Sequence, residues 1–363
     1  MPNSFLVQSL DVTNYRGLKS FHYDKLSRVN LIGGRNGVGK STLIEAVFLL
    51  LDRRTALTLY RPSMWRGLPL VPAAMKRQLA AVFHGGLVDR TIRIEAMTRD
   101  GKERVEYSYG VRVPHRLVIP PQPSSESISA SVAPASSSSG EADVITIESF
   151  KDGALDERLV IASAGQGFTQ TAEIASPRTL SPGVLLNASN RYSNPDNAER
   201  FSHVVEADQR ARLIKIMQVA APDLGELEIL HSIVHGRSKG GGPWLPTPLL
   251  GDGAHLLLSI ALAIMISRGG VVCLDEFDTA IHYSALERVW QIICELAREY
   301  NCQIFATTHS RECIAAAVTG LSSVQQIDDL QYTRLDRVEK RVVGTTYVAS
   351  ELTTAVKDEW ELR

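Results

Sequence analysis

The chain has 363 residues, of which 44% are apolar, enough for one large hydrophobic core or two smaller ones. Its 39 basic and 40 acidic residues nearly cancel, so the protein has no overall positive charge that would indicate nucleic-acid binding. A basic patch on one face is still compatible with this composition. No apolar run approaches the roughly 20 residues that cross a bilayer, and the first residues lack a signal-peptide pattern. With four cysteines inside apolar stretches, these features predict a cytoplasmic protein without membrane contact.

The first predicted elements surround a glycine-rich loop. Residues 5–12 alternate like a strand, residues 29–32 form a short apolar strand, and residues 42–51 are typical of a helix. Between the last two lies Gly34-Arg35-Asn36-Gly37-Val38-Gly39-Lys40-Ser41, which fits the P-loop pattern G-x-x-x-x-G-K-S/T. Strand, glycine loop and helix are the context that this motif requires, which favours it over a chance match.

The P-loop predicts ATP and Mg²⁺ as cofactors. Glycines allow backbone N–H groups to face a phosphate chain, and the helix N-terminus adds its own donors. Lys40 is expected to reach the β- and γ-phosphates as a catalytic cation, and the Ser41 hydroxyl to bind Mg²⁺. The predicted nucleotide-binding residues here are Gly34, Arg35, Asn36, Gly37, Val38, Gly39, Lys40, Ser41 and Thr42.

The middle of the chain favours strands joined by short turns. Asp100-Gly101 between two alternating runs is a strong hairpin signal. Residues 120–143 consist mostly of Ser, Pro and Ala and predict a disordered surface loop within a sheet. Glycines at 236 and 240–242 admit a phosphate loop or a hairpin tip, and the tip is favoured because no helix follows.

The second half alternates apolar strands with helices, which predicts a parallel sheet. The apolar strand 271–274 ends in Asp275-Glu276, at the strand end where ligands collect in such sheets. Asp275 is expected to hold Mg²⁺, and Glu276 to polarise the attacking water. The alternative is an ordinary strand that ends in a polar turn.

Two further segments are candidates for phosphate contacts. Strand 303–307 leads into Thr308-His309-Ser310, where His309 can sense a γ-phosphate or simply precede a helix capped by Ser310, and both can hold at once. Gly251-Asp252-Gly253 opens an apolar helix and leaves its N-terminus bare for an anion. This helix start is expected to lie away from its own P-loop, which suggests a phosphate bound by a second subunit.

The order of these motifs resembles the ABC-type ATPases, and more closely the RecF/SMC-like branch that includes the OLD-family (overcoming lysogenization defect) ATPases. The resemblance covers the two ends of the chain, and the middle is only loosely similar. The matching segments are Asn14-Tyr15-Arg16-Gly17 and residues 30–41, 251–253, 274–282 and 306–310.

The resemblance implies an α/β P-loop NTPase with an ABC-ATPase-like head, mixed sheets, a β-rich lobe and a helical insertion. It implies one domain over 1–363, with a nucleotide-binding core at 1–60 and 245–363 and an insertion at 61–244. It further implies head-to-head dimers that enclose ATP between the Walker A loop of one subunit and the signature of the other. By match, Arg16 lies near the nucleotide, and Asp278 is the acid of the D-loop.

The sequence also departs from its relatives. The signature Gly251-Asp252-Gly253 lacks the Ser-Gly-Gly-Gln of transporters, no heptads predict SMC-like arms, and no Toprim nuclease is recognised. We therefore expect an ATP-hydrolysing homodimer that acts as a nucleotide-gated switch for a partner macromolecule, in defence against foreign DNA beside a separately encoded effector such as a nuclease. The alternatives are a DNA-binding repair ATPase of the RecF type, a nucleotide-dependent scaffold with little turnover and, as the least favoured, the ATPase subunit of a transporter.

Overall fold

The computed structural model describes residues 6–53, 58–64, 66–68, 75–112, 142–164, 167–174, 181–188, 190–358 and 360–361. The predicted disordered loop 120–143 lies outside the described residues up to position 141. Its last two positions already belong to a strand.

The described residues form β-strands and α-helices with the following bounds. In chain order, the strands are β1 Val7–Tyr15, β2 Leu18–Tyr23, β3 Val29–Gly34, β4 Ile92–Thr98, β5 Gly101–Arg112, β6 Ala142–Lys151, β7 Ala154–Ala164, β8 Gly167–Ile174, β9 Gly183–Leu186, β10 Leu224–Leu230, β11 Ile233–Ser238, β12 Leu245–Pro246, β13 Val271–Leu274, β14 Gln303–Thr307, β15 Leu330–Val338 and β16 Arg341–Tyr347. The α-helices are α1 Lys40–Leu51, α2 Arg61–Met64, α3 Met75–Ala80, α4 Asn194–Glu206, α5 Arg210–Met217, α6 Asp252–Ile266, α7 Tyr283–Glu299, α8 Arg311–Ser323 and α9 Ala349–Lys357.

The described residues form two compact units. The first contains Met1–Ser9, Tyr23–Phe48 and Ser181–Arg363, and the second contains Leu10–His22 and Leu49–Leu180. The unit that holds the P-loop therefore resumes at Ser181, earlier than the predicted core boundary at 245. That the whole chain acts as one ATPase domain stays a prediction.

The first unit is built on a six-stranded sheet, counted over the described residues, in the order β16-β15-β3-β14-β13-β9. Strands β15, β3, β14, β13 and β9 run parallel, and β16 pairs antiparallel with β15. All residues of β3, β13 and β14 are buried, as expected for strands covered on both faces. This confirms the predicted α/β class and the parallel sheet.

Helices α6 and α7 bury different shares of their residues. In α6 every residue from position 254 to 265 is buried, which explains its apolar sequence on all sides. Helix α7 buries only one face, on which Trp290 meets Phe277 edge-on with ring centroids 5.1 Å apart. Among the described residues, no helix is both long enough and apolar enough to cross a bilayer.

The second unit carries a largely antiparallel sheet with the described order β2-β1-β4-β5-β6-β7-β8. The predicted Asp100-Gly101 turn is confirmed, because β4 ends at Thr98 and β5 begins at Gly101 in an antiparallel pair.

The glycine cluster 236–242 differs in part from its predicted place in a hairpin tip. Gly236 lies within β11, and the reversal before that strand occurs at His231 and Ser232, which both have positive φ. Gly241 and Gly242 belong to the connection from β11 to β12. This position in the strand favours glycine because a Cβ there would lie 2.7 Å from the Leu224 side chain.

Candidate nucleotide-binding site

Three neighbouring parallel strands end at the same edge of the first unit's sheet. Strand β14 lies between β3 and β13, and all three run in the same direction. The P-loop follows β3, Asp275 and Glu276 follow β13, and Thr308 and His309 follow β14. Carboxyl ends of parallel strands are where α/β proteins assemble ligand sites. The sheet order therefore brings together the motifs that the sequence predicted separately.

The start of the P-loop depends on close approach to β15. A Cβ added to Gly34 would lie 2.4 Å from the backbone oxygen of Leu335, and Gly34 has a φ of 131°. On the other side of the loop, Arg337 donates a hydrogen bond of 3.3 Å to the carbonyl of Gly37. Strand β15 thus contacts the loop at two points and limits its conformations.

Lys40 is the first residue of α1, and only 5% of its surface is exposed. Its Nζ donates to the backbone oxygens of Gly34, at 2.8 Å, and of Arg35, at 3.2 Å. An ammonium has three donors, so one N–H remains for a phosphate oxygen. Burial lowers the pKa of Lys40, and the nearby carboxylates of Glu276, Asp275 and Asp278 act in the opposite direction.

Ser41, Asp275 and Thr307 form one hydrogen-bonded cluster. The Ser41 hydroxyl donates to Asp275 Oδ1 over 3.0 Å, and the Thr307 hydroxyl donates to the same oxygen over 2.6 Å. The Thr307 oxygen in turn accepts the backbone N–H of Glu276 at 2.9 Å. Thr307 therefore orients the Asp275 carboxylate and the start of the next turn together.

The Ser41–Asp275 pair fits a Mg²⁺ ion that is bound with a nucleotide. A hydroxyl and a carboxylate are hard oxygen ligands, and Mg²⁺ in phosphate-transferring sites takes few ligands from the protein and the rest from phosphates and water. Across the described ranges, no group of three or more His, Cys, Asp or Glu side chains could hold a metal by itself. Ser41 and Asp275 would hold such an ion together with the phosphates of the nucleotide.

Glu276 has a left-handed backbone, with φ 48° and ψ 42°. For a residue other than glycine such a conformation costs on the order of 1–3 kcal/mol and occurs mostly at functional sites. Its carbonyl accepts hydrogen bonds from Arg191 and from the Thr279 hydroxyl, each at 3.0 Å. The Glu276 carboxylate is partly exposed, and its Oε1 lies 4.0 Å from Nδ1 of His309.

The structure confirms the predicted cap at Ser310, whereas the predicted γ-phosphate contact of His309 stays a prediction. The Ser310 hydroxyl accepts the backbone N–H of Cys313 at 3.0 Å and caps α8. His309 precedes this cap and lies next to Glu276, with 46% of its side chain exposed. Capping thus leaves the imidazole available at the sheet edge.

Asp278 lies in a 3-10 turn, Phe277–Ala280, and is 8% exposed. Its Oδ2 accepts a hydrogen bond of 2.7 Å from the Thr308 hydroxyl, which links the turn after β13 to the segment after β14. The carboxylate is thus held by its own chain. Its predicted role as a nucleotide-contacting acid stays a prediction.

The signature-like turn, residues 251–253, lies beside that 3-10 turn. Gly251 caps α6 with a φ of 106°, Asp252 is the first residue of the helix, and a Cβ on Gly253 would lie 3.5 Å from the carbonyl of Ala280. The start of α6 and the turn that follows Glu276 are therefore packed together within one chain.

Arg16 belongs to the second unit, in the turn between β1 and β2, and has a φ of 46°. Its carbonyl accepts a 2.7 Å hydrogen bond from Nδ1 of His84, and its guanidinium carbon lies 5.8 Å from the centroid of the Tyr15 ring. Its predicted place near the nucleotide stays a prediction.

Three residues at the site were not assigned a role from the sequence. Thr307 is the last residue of a buried strand, where a polar side chain is a usable signal. Arg191 and Arg337 contact residues 85 and 300 positions away, and nothing in their local sequence marks these contacts.

The family comparison agrees with this geometry. Residues 29–315, more than half of the chain, match the family described as "AAA domain, putative AbiEii toxin, Type IV TA system". The chain belongs to this family. The match begins at β3 and includes the P-loop, Asp275, Glu276 and His309, so this member of the AAA-domain family carries its sheet-edge cluster inside the shared region.

The fold of this AAA-domain protein is similar to that of an SMC head. It is similar, with a TM-score of 0.51 and 10% sequence identity, to the crystal structure of an SMC head bound to the C-terminal winged-helix domain of ScpA, and the likeness covers 96% of this chain and 99% of that one. The predicted P-loop ATPase head with mixed sheets is therefore confirmed, while the narrower OLD-family branch stays a prediction.

Sequence relatives cover only short segments. Two uncharacterized proteins of Methanocaldococcus jannaschii are 27% identical over 67 residues and 35% identical over 65 residues. These segments are 17% and 18% of this chain, and the chain spans only 31% and 57% of the length of those relatives.

Proposed function

We propose that this AAA-domain protein binds and hydrolyses ATP with Mg²⁺. The observation that carries the proposal is the 3.0 Å hydrogen bond between Ser41 and Asp275, which joins the end of the P-loop to a carboxylate 234 positions later. Lys40 then contacts the β- and γ-phosphates, and Ser41 and Asp275 hold the metal ion. When bound, Mg²⁺ neutralises charge on the phosphates.

In this proposal Glu276 orients and polarises the attacking water. Its carboxylate is partly exposed at the strand edge, its backbone N–H and carbonyl are both hydrogen-bonded to side chains, and the Asp275 carboxylate beside it is engaged by Ser41 and Thr307. A carboxylate that is partly exposed in this way can accept a hydrogen bond from the attacking water. His309, whose Nδ1 lies 4.0 Å from the Glu276 carboxylate, donates to the γ-phosphate.

ATP closes a homodimer in which the signature-like turn of each copy meets the nucleotide of the other. Support comes from the bare start of α6, where a Cβ on Gly251 would meet no atom of the described residues within 4 Å, apart from its own chain neighbours. A helix N-terminus favours an anion, and a twofold axis gives each phosphate one such turn.

The dimer serves as a switch for a separately encoded effector, such as a nuclease, in defence against foreign DNA, as in the OLD-related branch. Two findings support a partner: the family description names a toxin of a Type IV TA system, and the similar SMC head was crystallised with a domain of another protein.

The test uses Glu276→Gln, which keeps the side-chain shape and removes the carboxylate. We expect ATP binding to persist, phosphate release to fall by about 10²–10⁴-fold, and a dimer to accumulate with ATP and Mg²⁺ in sedimentation. Lys40→Ala is the control, because it removes the phosphate-binding cation. It should lower ATP affinity by about ten- to a hundredfold, equivalent to about 1.5–3 kcal/mol, and give no ATP-dependent dimer.

Two results contradict the proposal. Phosphate release that is equal in wild type and Glu276→Gln would remove Glu276 from hydrolysis and favour a nucleotide-dependent scaffold. A strict monomer with bound ATP at high protein concentration would remove the dimer. Adding duplex DNA to the same assay tests the RecF-type alternative, which requires DNA-stimulated turnover.

A further inference from the structure

Arg191 connects two parts of the first unit that the ATPase motifs leave separate. It lies in the segment between β9 and α4, and its Nη1 donates to the Glu276 carbonyl and to the Thr279 hydroxyl, both at 3.0 Å. One guanidinium nitrogen thus binds both ends of the turn that begins at Glu276. That turn contains the left-handed residue on which the proposed hydrolysis depends.

The segment that presents Arg191 is itself held in place. The Asn187 and Asn190 side chains accept each other's backbone N–H groups, at 3.1 and 2.7 Å. The Asn190 amide also donates to the Leu185 carbonyl at 2.8 Å, and the Arg191 N–H bonds the Asn187 carbonyl at 2.9 Å. A side chain on a fixed backbone can position a neighbour, because little of its freedom remains to be lost.

On its other side, Arg191 leads to the start of α6 through two aromatic contacts. The guanidinium carbon lies 5.1 Å from the centroid of the Tyr192 ring, within the range of a cation–π interaction. The Tyr192 ring stacks on His255 with centroids 5.4 Å apart and planes inclined by 24°. His255 lies in the first turn of α6, and its N–H bonds the carbonyl of Gly251 at 3.0 Å.

His255 is fixed in one orientation by its two ring nitrogens. Nε2 lies 3.5 Å from the Tyr192 carbonyl, which can only accept, and this contact favours the tautomer with the proton on Nε2. Nδ1 then accepts from the buried Thr247 hydroxyl at 3.0 Å. His255 is only 2% exposed, so its ring is packed within the protein beside Tyr192.

From these contacts we infer that Arg191 is a positioning residue that holds Glu276 in its working conformation, and that the stack of Tyr192 on His255 couples this hold to the signature-like turn. The inference rests on the proposed function. In the ATP-bound dimer, the turn of each copy meets the other copy's phosphate, so binding at one site aligns Glu276 at the second. Hydrolysis is then positively cooperative in ATP.

The first test is Arg191→Met, which keeps an unbranched apolar stem and removes the donors. Arg210→Met is the matched control, because Arg210 also lies near an aromatic ring, that of Phe201 at 6.0 Å, and pairs with Glu228 on the surface. We expect Arg191→Met to lower kcat by about 10- to 100-fold, as for misplaced catalytic groups, with ATP Kd within about twofold of wild type. Arg191→Lys should restore part of kcat, since an ammonium can also donate to a carbonyl.

The second test is Tyr192→Leu, which keeps Arg191 and breaks the stack on His255. Two coupled sites allow a Hill coefficient of up to about 2, and we expect it to fall towards 1 in this variant. Steady-state phosphate release as a function of ATP concentration measures both effects, with Glu276→Gln in parallel.

The outcomes separate this inference from the proposed function. Absent turnover in wild type, or turnover that ignores Glu276→Gln, rejects the function itself. If wild type is active and Glu276→Gln is not, a kcat of Arg191→Met equal to that of Arg210→Met overturns the positioning role. The positioning role is also overturned if Arg191→Met lowers the ATP affinity and the melting temperature along with kcat, because that combination indicates a purely structural residue. A non-cooperative wild type, or an unchanged Hill coefficient in Tyr192→Leu, overturns the coupling. If Arg191→Met does not fold, Arg191→Lys and Tyr192→Leu decide alone.

Discussion

Replacing Thr307 by Val tests whether one buried hydroxyl organises the metal-binding edge. Val keeps the branched shape of Thr but cannot form its two hydrogen bonds, at 2.6 Å to Asp275 and 2.9 Å from the Glu276 N–H. A hydrogen bond to a charged group contributes about 1.5–3 kcal/mol, and an unpaired buried donor costs about 1–3 kcal/mol. Because Thr307 is fully buried and water cannot replace the hydroxyl, we expect the free energy of unfolding to fall by about 2–4 kcal/mol.

The same substitution should weaken binding of Mg²⁺–ATP about tenfold, or about 1.4 kcal/mol. The reason is that the Asp275 carboxylate loses one of the two donors that orient it. Binding of ATP in EDTA should change less, because the contacts of Lys40 are intact. Calorimetric titration with and without Mg²⁺, together with urea denaturation, measures both effects.

Thr333→Val is the matched control for this experiment. Thr333 is also fully buried in a neighbouring region of the same sheet, but its hydroxyl bonds the uncharged hydroxyl of Thr346, at 3.0 Å. Its loss should cost about 0.5–1.5 kcal/mol and leave Mg²⁺–ATP binding unchanged. The reasoning is refuted if Thr307→Val and Thr333→Val have the same urea midpoint and both bind Mg²⁺–ATP like wild type.

Three further predictions follow from single contacts. Gly34→Ala should abolish ATP binding and strongly lower the melting temperature, because the new Cβ would lie 2.4 Å from the Leu335 carbonyl. Gly37→Ala, where the described residues leave open space for a Cβ, should lower the melting temperature less, and thermal melts compare the two variants. Burial lowers the pKa of His255 below its usual 6.5, so as the pH falls the unfolded chain takes up a proton at this residue before the folded chain does. Stability is therefore lost as the pH falls from 6.5 through the pKa of the folded state. His255→Gln should reduce this loss, as measured by the difference between melting temperatures at pH 7.5 and pH 5.5. Arg337→Ala should change the free energy of unfolding by less than about 0.5 kcal/mol, because Arg337 is exposed. It should nevertheless weaken ATP binding a few-fold, because the contact with Gly37 is lost. An ATP affinity equal to that of wild type would show that this contact does not matter for binding.

Much of the nucleotide-binding half was predictable because its signals are local. Strands 271–274 and 303–307 have the predicted bounds because short apolar runs bounded by polar turns leave few alternatives. The glycine cluster near 240 shows the opposite case. Glycines mark a turn only by permitting it, and Gly236 lies within a strand because a neighbouring side chain leaves no room for a Cβ.

The sequence by itself determined the elements and their chemistry: a glycine loop before a helix at Lys40, and two acids after a buried strand at Asp275. These depend on residues close together in the chain, where backbone preference and burial act directly. The tertiary structure alone decided which side chains meet, because partner choice depends on the order of strands, and several orders suit the same apolar pattern. Only with β14 between β3 and β13 does Thr307 reach the Asp275 carboxylate that Ser41 also binds. The same holds for Arg191, whose contact with Glu276 arises from the placement of β9 beside β13.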